Sequence, residues 1–309
     1  MWVQEANFRN NSEDFKHMCR LIVELNNPEE LGHHWTLGQL IDWQWGIWNE
    51  AKLDPSFFEK NCRLFYNYLG DLVGFAISEN GTNRFAIAFR KQYRSFRKLA
   101  IQSVLQRPFG TGPFEISTLE SDAQFIQQLE EAGFRATPRY ETMYLYAVEQ
   151  AVLKEVKLDE GLTIEGMDRF NDLARHMELK RYSFHGGEEI SPQHVFAYHH
   201  VRNSPLYDAS MDLVLRDQAG RCLAGCEGFI DYENASMQIE RVCTQKEFEG
   251  RGYARAVINE CIRQGALRGV RYFSITGWSD LTHHLYSSFG QARPISIRIY
   301  SQSIQDLNF

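Results

Sequence analysis

The residues best suited to chemistry lie in Ile239-Glu240-Arg241-Val242-Cys243-Thr244-Gln245-Lys246-Glu247-Phe248-Glu249-Gly250-Arg251-Gly252-Tyr253-Ala254, a strand that turns through two glycines into a helix. Such a turn presents unpaired backbone N–H groups. Its glycines let an anion approach the main chain, and the helix N-terminus adds a favourable partial charge. The chemistry this suits is phosphate binding, although a plain tight turn carries the same local signature. A dinucleotide fold would need a third glycine and an acidic residue closing the next strand, which here reads Tyr272-Phe273-Ser274-Ile275-Thr276. A kinase-type phosphate loop would need Gly-Lys-Ser/Thr, which does not follow. Other reactive side chains are less suggestive. His33-His34, His199-His200 and His283-His284 are adjacent pairs, which on a helix point in different directions. The six cysteines are scattered through apolar segments without the second pair a zinc site requires. We expect reduced core thiols and no metal.

The elements that would position this turn are legible from periodicity. After Leu162 come a short strand and two helical stretches, around Asp172 to Tyr182 and Pro192 to Arg202. Met211 to Arg216 and Arg221 to Phe229 are apolar runs separated by Asp217-Gln218-Ala219-Gly220, which suits a hairpin. Ser236 to Thr244 is a third strand. The helix after the glycines places Ala254, Val257, Ile258, Cys261 and Ile262 on one face. A strand over Tyr272 to Thr276 and a helix from Asp280 to Phe289 follow.

The first half repeats the order, with helices predicted over Glu13 to Leu25 and Leu37 to Glu50 and a hairpin at Asn80-Gly81. Leu72-Val73-Gly74 parallels Leu223-Ala224-Gly225, and Phe114-Glu115-Ile116-Ser117-Thr118 parallels Phe273-Ser274-Ile275-Thr276. A duplicated domain accounts for this better than chance, because several elements agree in order as well as type. We place the boundary near Glu149 to Glu160, giving domains over residues 1–150 and 151–309.

With that order of elements, Glu249-Gly250-Arg251-Gly252-Tyr253-Ala254 resembles the acyl-CoA signature of the GNAT superfamily of N-acetyltransferases, Gln/Arg-x-x-Gly-x-Gly/Ala. The glycine and alanine match, while Glu249 departs from the usual basic or amide residue and Arg251 is available to supply the positive charge. Downstream, Ser279 to Gly290 is similar to the Asn-x-x-Ala-x-x-Leu-Tyr-x-x-x-Gly segment, with Leu285, Tyr286 and Gly290 matching and Ser279 and Thr282 departing. The tandem layout resembles that of mycothiol synthase and its relatives. The resemblance implies an α/β fold of two tandem GNAT-like domains, each a mostly antiparallel mixed sheet flanked by helices. It further implies acetyl-CoA as cosubstrate and a primary amine as acceptor.

Acyl transfer from a thioester to an amine needs a neutral nucleophile, a stabilised oxyanion and a proton for the departing thiolate. By the resemblance, Glu240 is the candidate base. Strand alternation would put it on one face with Gln238 and Val242, and a second reading pairs it with Arg241 or a surface arginine. Backbone N–H groups of Val242, Cys243 and Thr244 would hold the carbonyl if a bulge splays that strand. Tyr286 is the candidate acid, and a core phenol is the alternative. Gly250, Arg251, Gly252, Tyr253, Ala254, Glu249 and Ser279 complete the candidate CoA site. By the resemblance, Glu188 or Glu189, in the loop between the first two helices of the second copy, would attract a cationic amine; an ordinary exposed acidic loop is the alternative.

In the first copy the equivalent turn, Tyr93-Arg94-Ser95-Phe96-Arg97-Lys98-Leu99, has no glycine, and Leu129 stands in the place of Tyr286. We expect it to bind no CoA and read it as a structural or substrate-shaping domain. Trp43, Trp45, Trp48, Phe57 and Phe58 are expected to pack it. A composition of 43% hydrophobic and 24% charged residues is that of a globular protein. With 33 Lys and Arg against 40 Asp and Glu, no broad basic surface is available for nucleic acid. No apolar run is long enough to cross a bilayer and Met1-Trp2-Val3-Gln4-Glu5 lacks a basic region followed by an apolar run, so the expectation is a cytoplasmic enzyme acting on a small-molecule amine, away from membranes. The alternative is a non-catalytic acyl-CoA sensor or interaction module on the same fold.

Overall fold

The computed structural model describes residues 2–10, 13–46, 50–184, 186–187 and 191–302. The chain divides into two compact units: Met1–Gln44, Asn49–Thr142 and Ile295–Phe309 form the first, and Trp45–Trp48 with Met143–Pro294 the second.

The first unit runs through β1 (Val3–Asn7), α1 (Asp14–Leu25), α2 (Leu37–Gln44), α3 (Phe57–Asn61), β2 (Cys62–Asn67), β3 (Leu72–Ile77), β4 (Arg84–Phe89), α4 (Arg97–Gln106), β5 (Phe114–Leu119) and α5 (Ala123–Glu131) into β6 (Arg135–Ala147). The helix expected over Leu37 to Glu50 stops at Gln44, two residues before Gly46, and α3 forms separately beyond it. Strands β1 to β4 pair antiparallel in sequence order, whereas β4 and β5 pair parallel through Arg84↔Glu115 and Phe85↔Ile116. Phe65, Val73, Ile87, Ile101, Phe114 and Leu129 lie in its core. Trp43, Phe57 and Phe58 are buried there as expected. Trp45 belongs to the second unit instead, and Trp48 is outside the described residues.

The second unit continues from the last part of β6 through β7 (Thr163–Gly166), α6 (Met167–Phe170), α7 (Leu173–Phe184), α8 (Pro192–Val201), β8 (Asp212–Arg216), β9 (Cys222–Asp231), β10 (Ser236–Thr244), α9 (Tyr253–Leu267), β11 (Tyr272–Gly277) and α10 (Asp280–Tyr286) to β12 (Arg293–Gln302). Its strand order is β6-β11-β10-β9-β8-β7. Local sequence explains the boundaries. Ser191 caps α8 by accepting from the His194 amide, with Pro192 at the first helical position, where a missing N–H costs nothing. The eight residues Cys222 to Phe229 of β9 are all buried, matching a strand covered on both faces. One face packs with α9 and α10 in a cluster including Ile239, Val257, Ile258, Phe273, Ile275 and Tyr286. The other packs beneath α7 through Leu179, Val214 and Cys243. Residues 297–302 of β12 pair antiparallel with β5, and the chain from Ile295 counts to the first unit, so this strand returns to it.

The expected thiols are all free, and all but Cys19 are buried. Among the described residues no helix is long and apolar enough to cross a membrane.

Candidate active site

The second unit contains a wedge at its centre. β10 pairs with β11 in parallel at Ser236↔Tyr272, Met237↔Phe273 and Gln238↔Ser274, beyond which the register ends. Both strands nevertheless continue, to Thr244 and Gly277. On the opposite edge, Glu240 faces Glu227 but Cys243 faces Gly225, so β10 carries a bulge between them. Arg241 sits in the bulge with φ of 49°, a left-handed conformation that costs a side-chain-bearing residue on the order of 1–2 kcal/mol.

The bulge resets the alternation of side chains. Gln238 donates through Nε2 to the Glu240 carboxylate, so these two share a face as expected. Val242 does not join them. It packs against the cluster containing Ile239, while Cys243 lies with Leu179 and Val214 on the α7 face. The extra residue at the bulge is the reason.

At the mouth of the wedge the chain passes through Gly250 (φ 77°) and Gly252 (φ 80°) before α9 begins at Tyr253. A side chain at Gly250 would project into open space, whereas a Cβ at Gly252 would meet Val156 Cγ1 at 3.3 Å. Left-handed backbone makes both positions unfavourable for any other residue type. Glu249 and Arg251 are exposed, and the Arg251 guanidinium stacks over Phe248 at 5.4 Å. Ala254 is half-buried. The Tyr253 phenol donates to Asp159 Oδ2 at 2.8 Å and Asn259 donates to the Lys154 carbonyl, so the charged stretch read as a boundary is tied to α9.

Tyr286 is buried in α10, and its ring Cδ2 lies 3.3 Å from where a Cβ on Gly277, at the end of β11, would stand. Burial first, then the charge of Glu240, pushes its phenol above the ordinary range, so the two candidate residues feel each other. Tyr146 donates to the Tyr286 carbonyl and stacks on Phe273 at 4.8 Å, fixing the end of the helix. Ser279 caps α10: its hydroxyl accepts from the Thr282 amide, while the Thr282 hydroxyl accepts from the Ser279 amide. This reciprocal box explains why Ser and Thr occur together where the resemblance expected Asn and Ala.

Sequence reasoning missed a row of carboxylates on the α7 face. Asp212, Glu227 and Glu240 stand directly opposite one another across β8, β9 and β10. Like charges in that relation repel, and partners come from α7, from Arg241 of β10 and from Tyr207 ahead of β8. Lys180 Nζ lies 3.3 Å from Glu227 Oε1, Arg241 pairs with Glu227 Oε2, and His176 Nε2 lies 3.3 Å from Asp212 Oδ1. Tyr207 also donates to Asp212 at 2.8 Å. Burial raises the Asp212 carboxyl, but His176, Lys180 and Tyr207 outweigh it and hold it at about 2. His176, Asp212 and Glu227 have the donor types and spacing for a metal ion, yet Lys180 and Arg241 already neutralise Glu227. The charged pattern is absent from any single stretch of sequence, since its members come from four elements.

A cleft of about 600 Å³ opens between α7 and α8, lined by Leu173, Met177, Glu178, Arg181, Val195 and His199. Glu188 and Glu189 lie outside the described residues.

The first unit has a wedge of the same kind, because β4 and β5 part after Phe85↔Ile116. Here the chain's own residues occupy it. His33 Nε2 donates to the Ile87 carbonyl of β4 at 3.1 Å, and His34 Nε2 bonds Ser117 Oγ of β5 at 2.9 Å. The two rings stack at 4.6 Å, so this pair does point one way, being in a loop and not on a helix. His33 Nδ1 accepts the Trp35 amide. Burial holds both imidazoles neutral, His34 at about 4. Arg97, at the start of α4, is buried against Asp122 at 2.8 Å.

Comparison with known proteins agrees with this architecture. Residues 174–290 match the family described as Acetyltransferase (GNAT) family. A GCN5-related N-acetyltransferase from Sphaerobacter thermophilus superposes with a TM-score of 0.60 at 14% identity, covering 98% of this chain and 96% of that one. A tandem GNAT protein from the clavulanic acid biosynthesis pathway gives 0.60 at 11% identity over 99% and 100% of the two chains. A GNAT-family acetyltransferase from Colwellia psychrerythraea gives 0.59 at 12%, over 98% and 100%. By sequence, no curated protein matches. The family match falls within the second unit, and the chain as a whole is similar in fold to GNAT structures, a tandem GNAT protein among them.

Proposed function

We propose that the protein transfers an acetyl group from acetyl-CoA to a primary amine by direct attack, with the working site in the second unit and a small molecule as acceptor. The observation that carries this reading is the wedge between β10 and β11, headed by the Gly250–Gly252 turn and closed on one side by Tyr286. In that reading the α9 N-terminus and the glycine backbone hold the pyrophosphate, and the cosubstrate's arm lies in the wedge. Backbone N–H groups of Val242, Cys243 and Thr244 receive the thioester oxygen as negative charge develops.

Glu240 takes a proton from the acceptor ammonium, directly or through water, freeing the nitrogen lone pair. The nitrogen attacks the carbonyl carbon and passes its surplus proton to water, the C–S bond breaks, and the electron pair leaves on sulfur. Tyr286 stands as donor to that thiolate. Its raised pKa keeps the phenol protonated until charge appears, and the nearby Glu240 carboxylate discourages earlier ionisation. We propose no metal: the one candidate ligand set among the described residues already has Lys180 and Arg241 as counter-charges.

Calorimetric titration with acetyl-CoA, followed by CoA-release measurement against amines, amino acids, peptides and aminoglycosides, tests the reading. One site per chain and turnover with at least one amine are expected. Two equivalent sites would refute the assignment to the second unit. Tight binding without release for any amine would favour a non-catalytic acyl-CoA sensor.

A further inference from the structure

The Arg241 backbone is unusual on two counts. It is one of three described non-glycine residues with positive φ, and the only one of these in a strand of the sheet. Its neighbourhood supplies what such a conformation needs in order to persist, namely surrounding structure that over-determines it. The guanidinium pairs with Glu227, which is 4% exposed, and lies over the Phe229 ring at 5.7 Å. Glu227 in turn holds Lys180, which is 1% exposed. Glu227 stands opposite Glu240 at the last regular pair before the bulge.

The first unit provides the internal control. Aligning Gly74 with Gly225, as both the local sequence match and the strand pairing do, puts Ala76 in the place of Glu227 and Ile87 in that of Glu240. Arg63 takes the place of Asp212. With the carboxylates gone, the β3/β4 register runs without a shift from Gly74↔Phe89 to Ile77↔Ala86. Bulge and ion triad occur together in one copy and are missing together from the other.

We infer that the buried Lys180–Glu227–Arg241 triad holds Arg241 in its left-handed conformation and so sets the β10 bulge, making Glu227 a positioning residue for the N–H groups that receive the thioester carbonyl. The inference rests on the proposed acetyl-CoA site and identifies what keeps its carbonyl clamp in shape. Glu227 touches no reacting atom in this scheme. Its effect passes through the Arg241 side chain to the Arg241 backbone, and from there to Val242 and Cys243. A Glu227 side chain that loses its charge takes away the acceptor shared by Lys180 and Arg241, which is costly at a buried site.

The test compares acetyl-CoA with CoA on the full-length chain, since only the former has a carbonyl for the bulge to hold. Isotope-edited infrared spectroscopy of acetyl-CoA labelled at the thioester carbonyl reads the hydrogen bond directly, and calorimetry gives the acetyl-CoA to CoA affinity ratio. In wild type the carbonyl stretch should fall on binding. Glu227→Gln should abolish most of that fall and reduce the affinity ratio about fivefold to tenfold, with CoA affinity itself nearly unchanged.

Arg241→Ala and Arg241→Gly separate backbone from charge, because both remove the guanidinium but only glycine accepts positive φ freely. The glycine variant should keep the carbonyl shift and the alanine variant lose it. These two also serve if Glu227→Gln does not fold. Equal behaviour of the Ala and Gly variants, or a folded Glu227→Gln with wild-type shift and ratio, overturns the inference while leaving the site intact. A wild type with no carbonyl shift overturns the carbonyl clamp itself, and with it any positioning role for Glu227.

Discussion

The two wedges of this molecule start from the same strand pairing and end in opposite conditions. In each unit a parallel pair separates after two or three residues. In the second, the strand beside the gap bulges and a glycine turn leads into α9. In the first, β4 stays in register, α4 is entered through side-chain-bearing residues, and His33 and His34 bond to both separated strands. The missing glycines therefore account for only part of the first unit's difference. Polar backbone exposed by a splay needs a partner, and in the first unit the chain itself supplies one. The histidine pair meets that need, and Leu129 fills the core where the other copy has a phenol.

The sharpest way to break this comparison is to remove what only the second unit has. Tyr286→Phe keeps the ring and its packing but deletes the donor, so turnover should fall about a hundredfold with acetyl-CoA affinity nearly unchanged. Pre-steady-state acyl transfer checks this. A wild-type chemical step in the Phe variant would make Tyr286 a packing residue like Leu129.

Gly250→Val should weaken CoA binding about tenfold or more, measured by calorimetry, because a β-branched residue is strained at positive φ and its side chain enters the cradle. Gly252→Val is a poorer probe. There the added atoms meet Val156 inside the unit, so part of any loss would come from local unfolding.

The histidine plug makes its own prediction. With a folded-state pKa of about 4, below the ordinary imidazole value near ~6.5, His34 resists the proton that the unfolded chain accepts. The stability this represents is present above about pH 6.5 and is lost as pH falls toward about 4, on the order of 2 kcal/mol by about pH 5. Thermal unfolding of wild type and His34→Asn at pH 7 and pH 5 should show a smaller acid loss in the variant. Equal slopes would mean that the ring is not held neutral in the wedge.

The smallest effect expected is at the α10 cap. Ser279→Ala should lower stability by about 1 kcal/mol, seen as a modest fall in melting temperature, and reduce turnover slightly by loosening the helix that carries Tyr286. A large loss of CoA affinity without a change in melting would instead give the exposed Ser279 hydroxyl a direct part in binding.

Much of this architecture was readable along the chain. The alternation of apolar residues, the Asn80-Gly81 turn and the Gly250-Arg251-Gly252 turn are local features, and so is the likeness of Leu72-Val73-Gly74 to Leu223-Ala224-Gly225. Gly74 and Gly225 do stand at matching places, opposite Phe89 and Cys243. Tertiary structure decided the rest. Strand alternation placed Val242 beside Glu240, but one extra residue in the ladder moved it to the other face, and no composition rule announces an arginine with positive φ. The carboxylate row exists only once β8, β9 and β10 are laid side by side. His33-His34 is uninformative as a dipeptide and becomes a plug only where two separated strands need partners. The sequence by itself determined which segments form strands, helices and turns, because those depend on neighbours a few residues away. Register, splay and the pairing of buried charges depend on groups tens to hundreds of residues apart, and only the folded chain brings these together.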